Sequence, residues 1–133
     1  MAGPILHIAI VDDDASVRRA LARLLVAFDI EAKTFATGAE FLESLSHGPP
    51  DCLMLDVHMP GMTGLEVQLS LAESGIHLPV IIITAHDEPK AIGQTLKAGA
   101  MACLSKPLDE MVLLETIHSA FGRGPRPPSQ VRG

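Results

Sequence analysis

Short, nearly continuous apolar runs punctuate this chain and constrain its fold more than any other feature. Ile5-Leu6-His7-Ile8-Ala9-Ile10-Val11, Cys52-Leu53-Met54-Leu55 and Pro79-Val80-Ile81-Ile82-Ile83-Thr84 are bounded by turn residues, and the last is strongly β-branched. They read as strands buried on both faces, which belong to parallel sheets covered by helices. Between them the hydrophobic period lengthens. Val17, Leu21, Leu24, Leu25 and Phe28 line one face of a helix, with Arg18, Arg19 and Arg23 on its other faces. Glu31 to Phe35 is a less apolar strand suited to a sheet edge. Thr37-Gly38-Ala39-Glu40 predicts a capping box that opens a helix with Phe41, Leu42 and Leu45 as its stripe, closed by Gly48-Pro49-Pro50. A third helix is expected from Gly64 to about Ser74, and a fourth from an Asp87 cap to Ala98, stopped by Gly99. Met101 to Leu104 makes a fifth strand. Asp109 opens a last helix with Val112, Leu113, Ile117, Ala120 and Phe121 on one face.

Five strands alternating with five helices require right-handed crossovers, so the expected fold is α/β: a doubly wound, five-stranded parallel sheet. With 133 residues there is room for one domain, expected over residues 1–121. Residues 122–133 have linker composition, holding three arginines and no acid, so residues 1–121 carry 7 of the 10 basic groups and all 16 acidic ones. Such an acidic domain lacks the cations that replace counterions on nucleic acid, and without Trp or Tyr it has little on which to stack bases. Cys52 and Cys103 sit in apolar runs with no metal-ligand spacing, which predicts buried thiols in a reducing compartment. The apolar start is too short for a signal core or a membrane span. A cytoplasmic protein with no membrane association is expected.

In doubly wound sheets ligands bind beyond the carboxyl ends of the strands. There this sequence puts Asp12, Asp13 and Asp14 after the first strand, Asp56 after the third, Thr84 at the end of the fourth and Lys106-Pro107 after the fifth. Two carboxylates about 4 Å apart repel by roughly 4 kcal/mol at an effective dielectric near 20, so their convergence calls for a cation or a shared proton. Oxygen-only ligation suits Mg²⁺. Each residue also has a plainer reading. Asp14 stands where a helix N-cap belongs, Asp12 and Asp13 could face water, and Asp56 could simply open the turn Met59-Pro60-Gly61. Beside a metal and an ammonium, however, a carboxylate is kept ionised and nucleophilic towards phosphorus. Thr84 would aim a hydroxyl at a ligand oxygen, and Pro107 makes the preceding bond a candidate cis peptide.

Ile-Val-Asp-Asp-Asp at 10–14, Leu-Asp-Val-His-Met-Pro-Gly-Met-Thr-Gly at 55–64, Ile-Thr-Ala at 83–85 and a later Ala-Gly-Ala with Lys106-Pro107 occur in order. On these motifs residues 5–121 resemble the receiver domains of two-component response regulators. The resemblance implies the flavodoxin-like strand order 2-1-3-4-5 and phosphorylation of Asp56 by a histidine kinase or phosphotransfer protein. It further implies Mg²⁺ held by Asp12, Asp13, Asp56 and the backbone carbonyl of His58, with Thr84 and Lys106 on phosphoryl oxygens. Slow autodephosphorylation, an output face on helix four, strand five and helix five, and a phosphorylation-dependent dimer also follow from it. Cys103 departs from the family, which commonly has Tyr or Phe three residues before the lysine, and Leu108 stands where Phe often follows Lys-Pro. His58 and His86 flank the site and either tune the phosphoryl lifetime or are simply solvated, while Met54, Met59 and Met62 pack or line the turn. Two other readings compete. Asp12-x-Asp14-x-Ser16 loosely imitates a haloacid-dehalogenase-type Mg²⁺-dependent phosphohydrolase, and a degenerate, unphosphorylated interaction module would leave the carboxylates without chemistry.

Overall fold

The computed structural model describes residues 6–85 and 89–121. The expected start of the first strand at Ile5, the roles given to His86 and Asp87, and the tail 122–133 lie outside them. The elements alternate as β1 (His7–Val11), α1 (Ala15–Ala27), β2 (Glu31–Phe35), α2 (Gly38–Ser44) with a 3-10 turn (Leu45–His47), β3 (Cys52–Asp56), α3 (Gly64–Glu73), β4 (Val80–Thr84), α4 (Pro89–Lys97), β5 (Ala102–Ser105) and α5 (Glu110–Ala120). The five strands form one parallel sheet in the order β2-β1-β3-β4-β5. Chain order reverses beside β1, and β2 lies at an edge as its weaker hydrophobicity implies.

The continuous apolar runs serve two cores at once because successive side chains point to opposite faces. Ala9, Val11, Leu53, Leu55, Val80 and Ile82 pack with Phe41 of α2 and with Val67 and Leu71 of α3. On the other face Ile8, Ile10, Cys52, Met54, Ile81 and Ile83 pack with Leu21 and Leu25 of α1 and Leu113 and Ile117 of α5. Burial pushes the Cys52 thiol up to about 12, so it behaves as an inert apolar filler. Cys103 is only half-buried, which corrects its expected burial: strand β5 is an edge, and a side chain there is covered from fewer directions.

Helix ends account for the other differences. Phe28 is the C-cap of α1 and 42% exposed, because the chain turns away there, with Asp29 at φ 62° and Ile30 donating back to Leu25. Val112 lies in the first turn of α5 and is also exposed. The Thr37 hydroxyl accepts from the Glu40 backbone N–H, but the Glu40 carboxylate overshoots Thr37 and accepts from the Ala36 N–H instead. A complete reciprocal box forms at Thr63 and Glu66, opening α3.

Candidate functional site

The ends of β1 and β3 are neighbours across the point where strand order reverses, and each delivers a carboxylate there. Asp56 is the last residue of β3 and Asp12 follows β1 directly; both are buried. Asp13 is exposed beside them, and carboxylate oxygens of all three lie within 4.8 Å of one another. Asp14 is drawn away from this cluster. Its Oδ1 accepts from the Ser16 N–H and hydroxyl and from the Val17 N–H, capping α1, and these hydrogen bonds hold its carboxyl below the usual range.

Lys106 follows β5, whose neighbour is β4, and its N–H donates to the Thr84 carbonyl. From there the side chain reaches back over β4 and β3, placing Nζ 2.8 Å from Asp12 Oδ2 and 3.9 Å from Asp56 Oδ1. The Lys106–Pro107 bond is cis. Thr84 ends β4 as a buried residue, His58 is exposed just past Asp56, and Leu108 packs partly buried against the α1/α5 core. Met54 and Met59 are buried, and Met62 packs against the core on the opposite face from α1.

The electrostatics follow from this crowding. Burial, and next the Asp12 charge, push the Asp56 carboxyl up to about 6; Lys106 and the His58 backbone N–H pull it back only in part. Burial by itself would lower the Lys106 ammonium, yet the close contact with the Asp12 carboxylate and the charges of Asp56, Asp12 and Asp14 together raise it. One lysine thus faces three carboxylates. Asp12 Oδ2 is buried and, although the ammonium is close, receives no well-aligned hydrogen bond. An oxygen-only donor set with excess negative charge and an unsatisfied buried oxygen fits a Mg²⁺ ion.

Two contributors were not apparent from the sequence. A Cβ at Gly64 would lie 2.6 Å from the Asp56 backbone oxygen, so only glycine lets the start of α3 close against the strand that carries Asp56. Its place at the end of the 55–64 motif, just before a helix, is the signal that could have found it. Arg18, expected on a solvent face, is half-buried and donates from Nη1 to the Asp12 carbonyl at 2.7 Å, a contact invisible to periodicity.

A flavodoxin-like sheet whose switch point gathers three aspartates against a lysine from the last strand defines the CheY-like class of α/β domains. Residues 8–118 match the response regulator receiver domain, and the chain belongs to that family. It is 41% identical over 120 residues to the response regulator protein TmoT of Ectopseudomonas mendocina, covering 90% of this chain and 54% of that protein. It is 38% identical over 114 residues to nodulation protein W of Bradyrhizobium diazoefficiens, covering 86% and 50% respectively. The chain spans about half the length of these curated relatives. Its fold superposes on a response regulator receiver protein from Burkholderia phymatum with a TM-score of 0.78 at 46% identity, covering 88% of this chain and 95% of that one. Receiver domains are signalling domains that bind Mg²⁺ at such an acidic pocket. No helix among the described residues is long and apolar enough to cross a membrane.

Proposed function

We propose that residues 1–121 are a phosphorylation-switched receiver in which Asp56 accepts a phosphoryl group from a histidine kinase or phosphotransfer protein, with 122–133 as a linker. The observation that carries this reading is the Lys106 ammonium set between Asp12 and Asp56 at the mouth of the acidic crevice. Asp12, Asp13, Asp56 and the His58 backbone carbonyl would hold Mg²⁺, which supplies charge neutralisation for a phosphoryl group approaching three carboxylates. Asp56 attacks phosphorus as a carboxylate, so it has no proton to lose. The bond from phosphorus to the donor imidazole nitrogen breaks, its electron pair leaves with that nitrogen, and a new O–P bond forms. Lys106 orients Asp56 and balances charge on the incoming oxygens, Thr84 donates its hydroxyl to another, and the buried walls limit water, which makes autodephosphorylation slow.

The added negative charge then draws Thr84 and Lys106 and biases the face formed by α4, β5 and α5, where Leu96, Met101, Met111 and Val112 are exposed. That face is the proposed surface for a downstream effector or for a phosphorylation-dependent dimer, working with Cys103 in place of an aromatic switch. Neither nucleic acid nor membrane is a proposed partner of this domain, and the proposed compartment is the cytoplasm. Asp14, which caps α1, does not supply the second carboxylate that the phosphohydrolase reading requires.

Incubation with Mg²⁺ and acetyl phosphate, followed by intact-mass measurement, tests the reading. One phosphoryl group is gained by the wild type and none by Asp56→Asn. No gain from any donor would leave an interaction module, and phosphate-ester turnover surviving Asp56→Asn would indicate a hydrolase.

A further inference from the structure

Asp12 is fixed by hydrogen bonds at its N–H, its carbonyl and Oδ1, while its remaining polar atom, Oδ2, is in ion-pair contact only. Its N–H donates to the Phe35 carbonyl at 3.2 Å, Oδ1 accepts from the Asp14 N–H at 2.9 Å, Oδ2 faces Lys106 at 2.8 Å, and its carbonyl accepts from Arg18 Nη1 at 2.7 Å. Asp13 differs. Among the described residues its side chain makes no hydrogen bond or ion pair, although its carboxylate lies within 4.8 Å of those of Asp12 and Asp56. What aims Asp13 is therefore its backbone. The Asp12 carbonyl and the Asp13 N–Cα bond share one rigid peptide plane, so whatever fixes that oxygen sets the direction in which Asp13 leaves β1. Arg18 does so from a rigid base: its own N–H bonds the Asp14 carbonyl in the first turn of α1, which Asp14 caps.

We propose that Arg18 is a positioning residue for the divalent-cation site, orienting Asp13 through the Asp12–Asp13 peptide; the inference rests on the reading of Asp12, Asp13 and Asp56 as Mg²⁺ ligands. Groups that orient metal ligands without touching the metal commonly change affinity by about 10–100-fold when removed. The sign separates positioning from charge. As a mere charge, Arg18 repels Mg²⁺, and its removal tightens binding; as a positioning group, its removal weakens binding.

Calorimetric titration of the full chain with Mg²⁺, in the absence of any phosphodonor, reads this directly for wild type, Arg18→Met and Arg18→Lys. Positioning predicts that the wild type binds tightest, that the Met variant is weaker by about tenfold, and that the Lys variant falls between them, since one N–H donor returns. Charge alone predicts Met tightest, with wild type and the Lys variant, equal in charge, binding alike. Thermal melting without Mg²⁺ establishes that each variant is folded at the titration temperature; if the Met variant is not, the Lys variant against wild type carries the test. Binding to Arg18→Met, or in its place Arg18→Lys, as tight as or tighter than wild type overturns the proposal. Failure of the wild type itself to bind Mg²⁺ instead overturns the metal-site reading beneath it.

Discussion

Asp56 is buried beside another carboxylate, and its raised pKa of about 6 is the physical cost of that position without a metal. In the unfolded chain the same carboxyl titrates near its ordinary value of 3.8. Below about pH 4 it is protonated in both states and imposes no penalty. As pH rises the unfolded state loses its proton first, so this group's stabilising share is lost progressively and is gone above about pH 6, on the order of 3 kcal/mol. Metal-free Asp56→Asn is therefore expected to be more stable than wild type above pH 6 and to converge with it below pH 4. Urea unfolding in a chelator across that range measures it, and a pH-independent difference between the two would refute the assignment. The site's acids and lysine were legible in the sequence because they terminate apolar runs, where no packing role competes for them. Arg18 was not: periodicity assigns such a charge to water, and only the folded helix start brings it against a backbone carbonyl.

The elements themselves were legible wherever burial is continuous. Strands β3 and β4 are buried along their whole length, and β1 is buried beyond its exposed first residue His7, because helices cover both faces. The misread positions, Phe28 and Val112, stand where a helix ends or begins and its periodic face no longer meets the sheet. Likewise Glu40 could reach either of two backbone donors, and composition alone does not choose between them. The junction of β3 and α3 has tighter demands. Gly64→Ala would drive a methyl carbon to 2.6 Å from the Asp56 backbone oxygen, a clash with backbone that cannot swing aside. A loss of about 1–3 kcal/mol in urea unfolding is expected, with slower phosphorylation by acetyl phosphate because the strand end shifts. Unchanged stability and rate would mean that α3 relocates without disturbing Asp56.

At the scale of the molecule, one end of the sheet carries an uncompensated negative charge and the rest is an apolar two-sided core. A cation bound only by the folded form stabilises by RT ln(1 + [M]/Kd), about 2.7 kcal/mol at a concentration one hundred times Kd. The melting temperature should accordingly climb with the logarithm of Mg²⁺ concentration in the wild type and stay nearly flat in Asp13→Ala, as read by circular dichroism. An equal rise in both would place the stabilising ion elsewhere. The Asp12–Lys106 ion pair has a further consequence, which concerns time. Positions 12 and 106 meet at 2.8 Å although nearly the whole described chain separates them. Contacts so distant in sequence form late, after the intervening loops have closed. A partly folded or still emerging chain thus offers Asp56 without the lysine that completes its surroundings, so under the proposed function a phosphoryl group on Asp56 would certify a finished fold as well as a received signal.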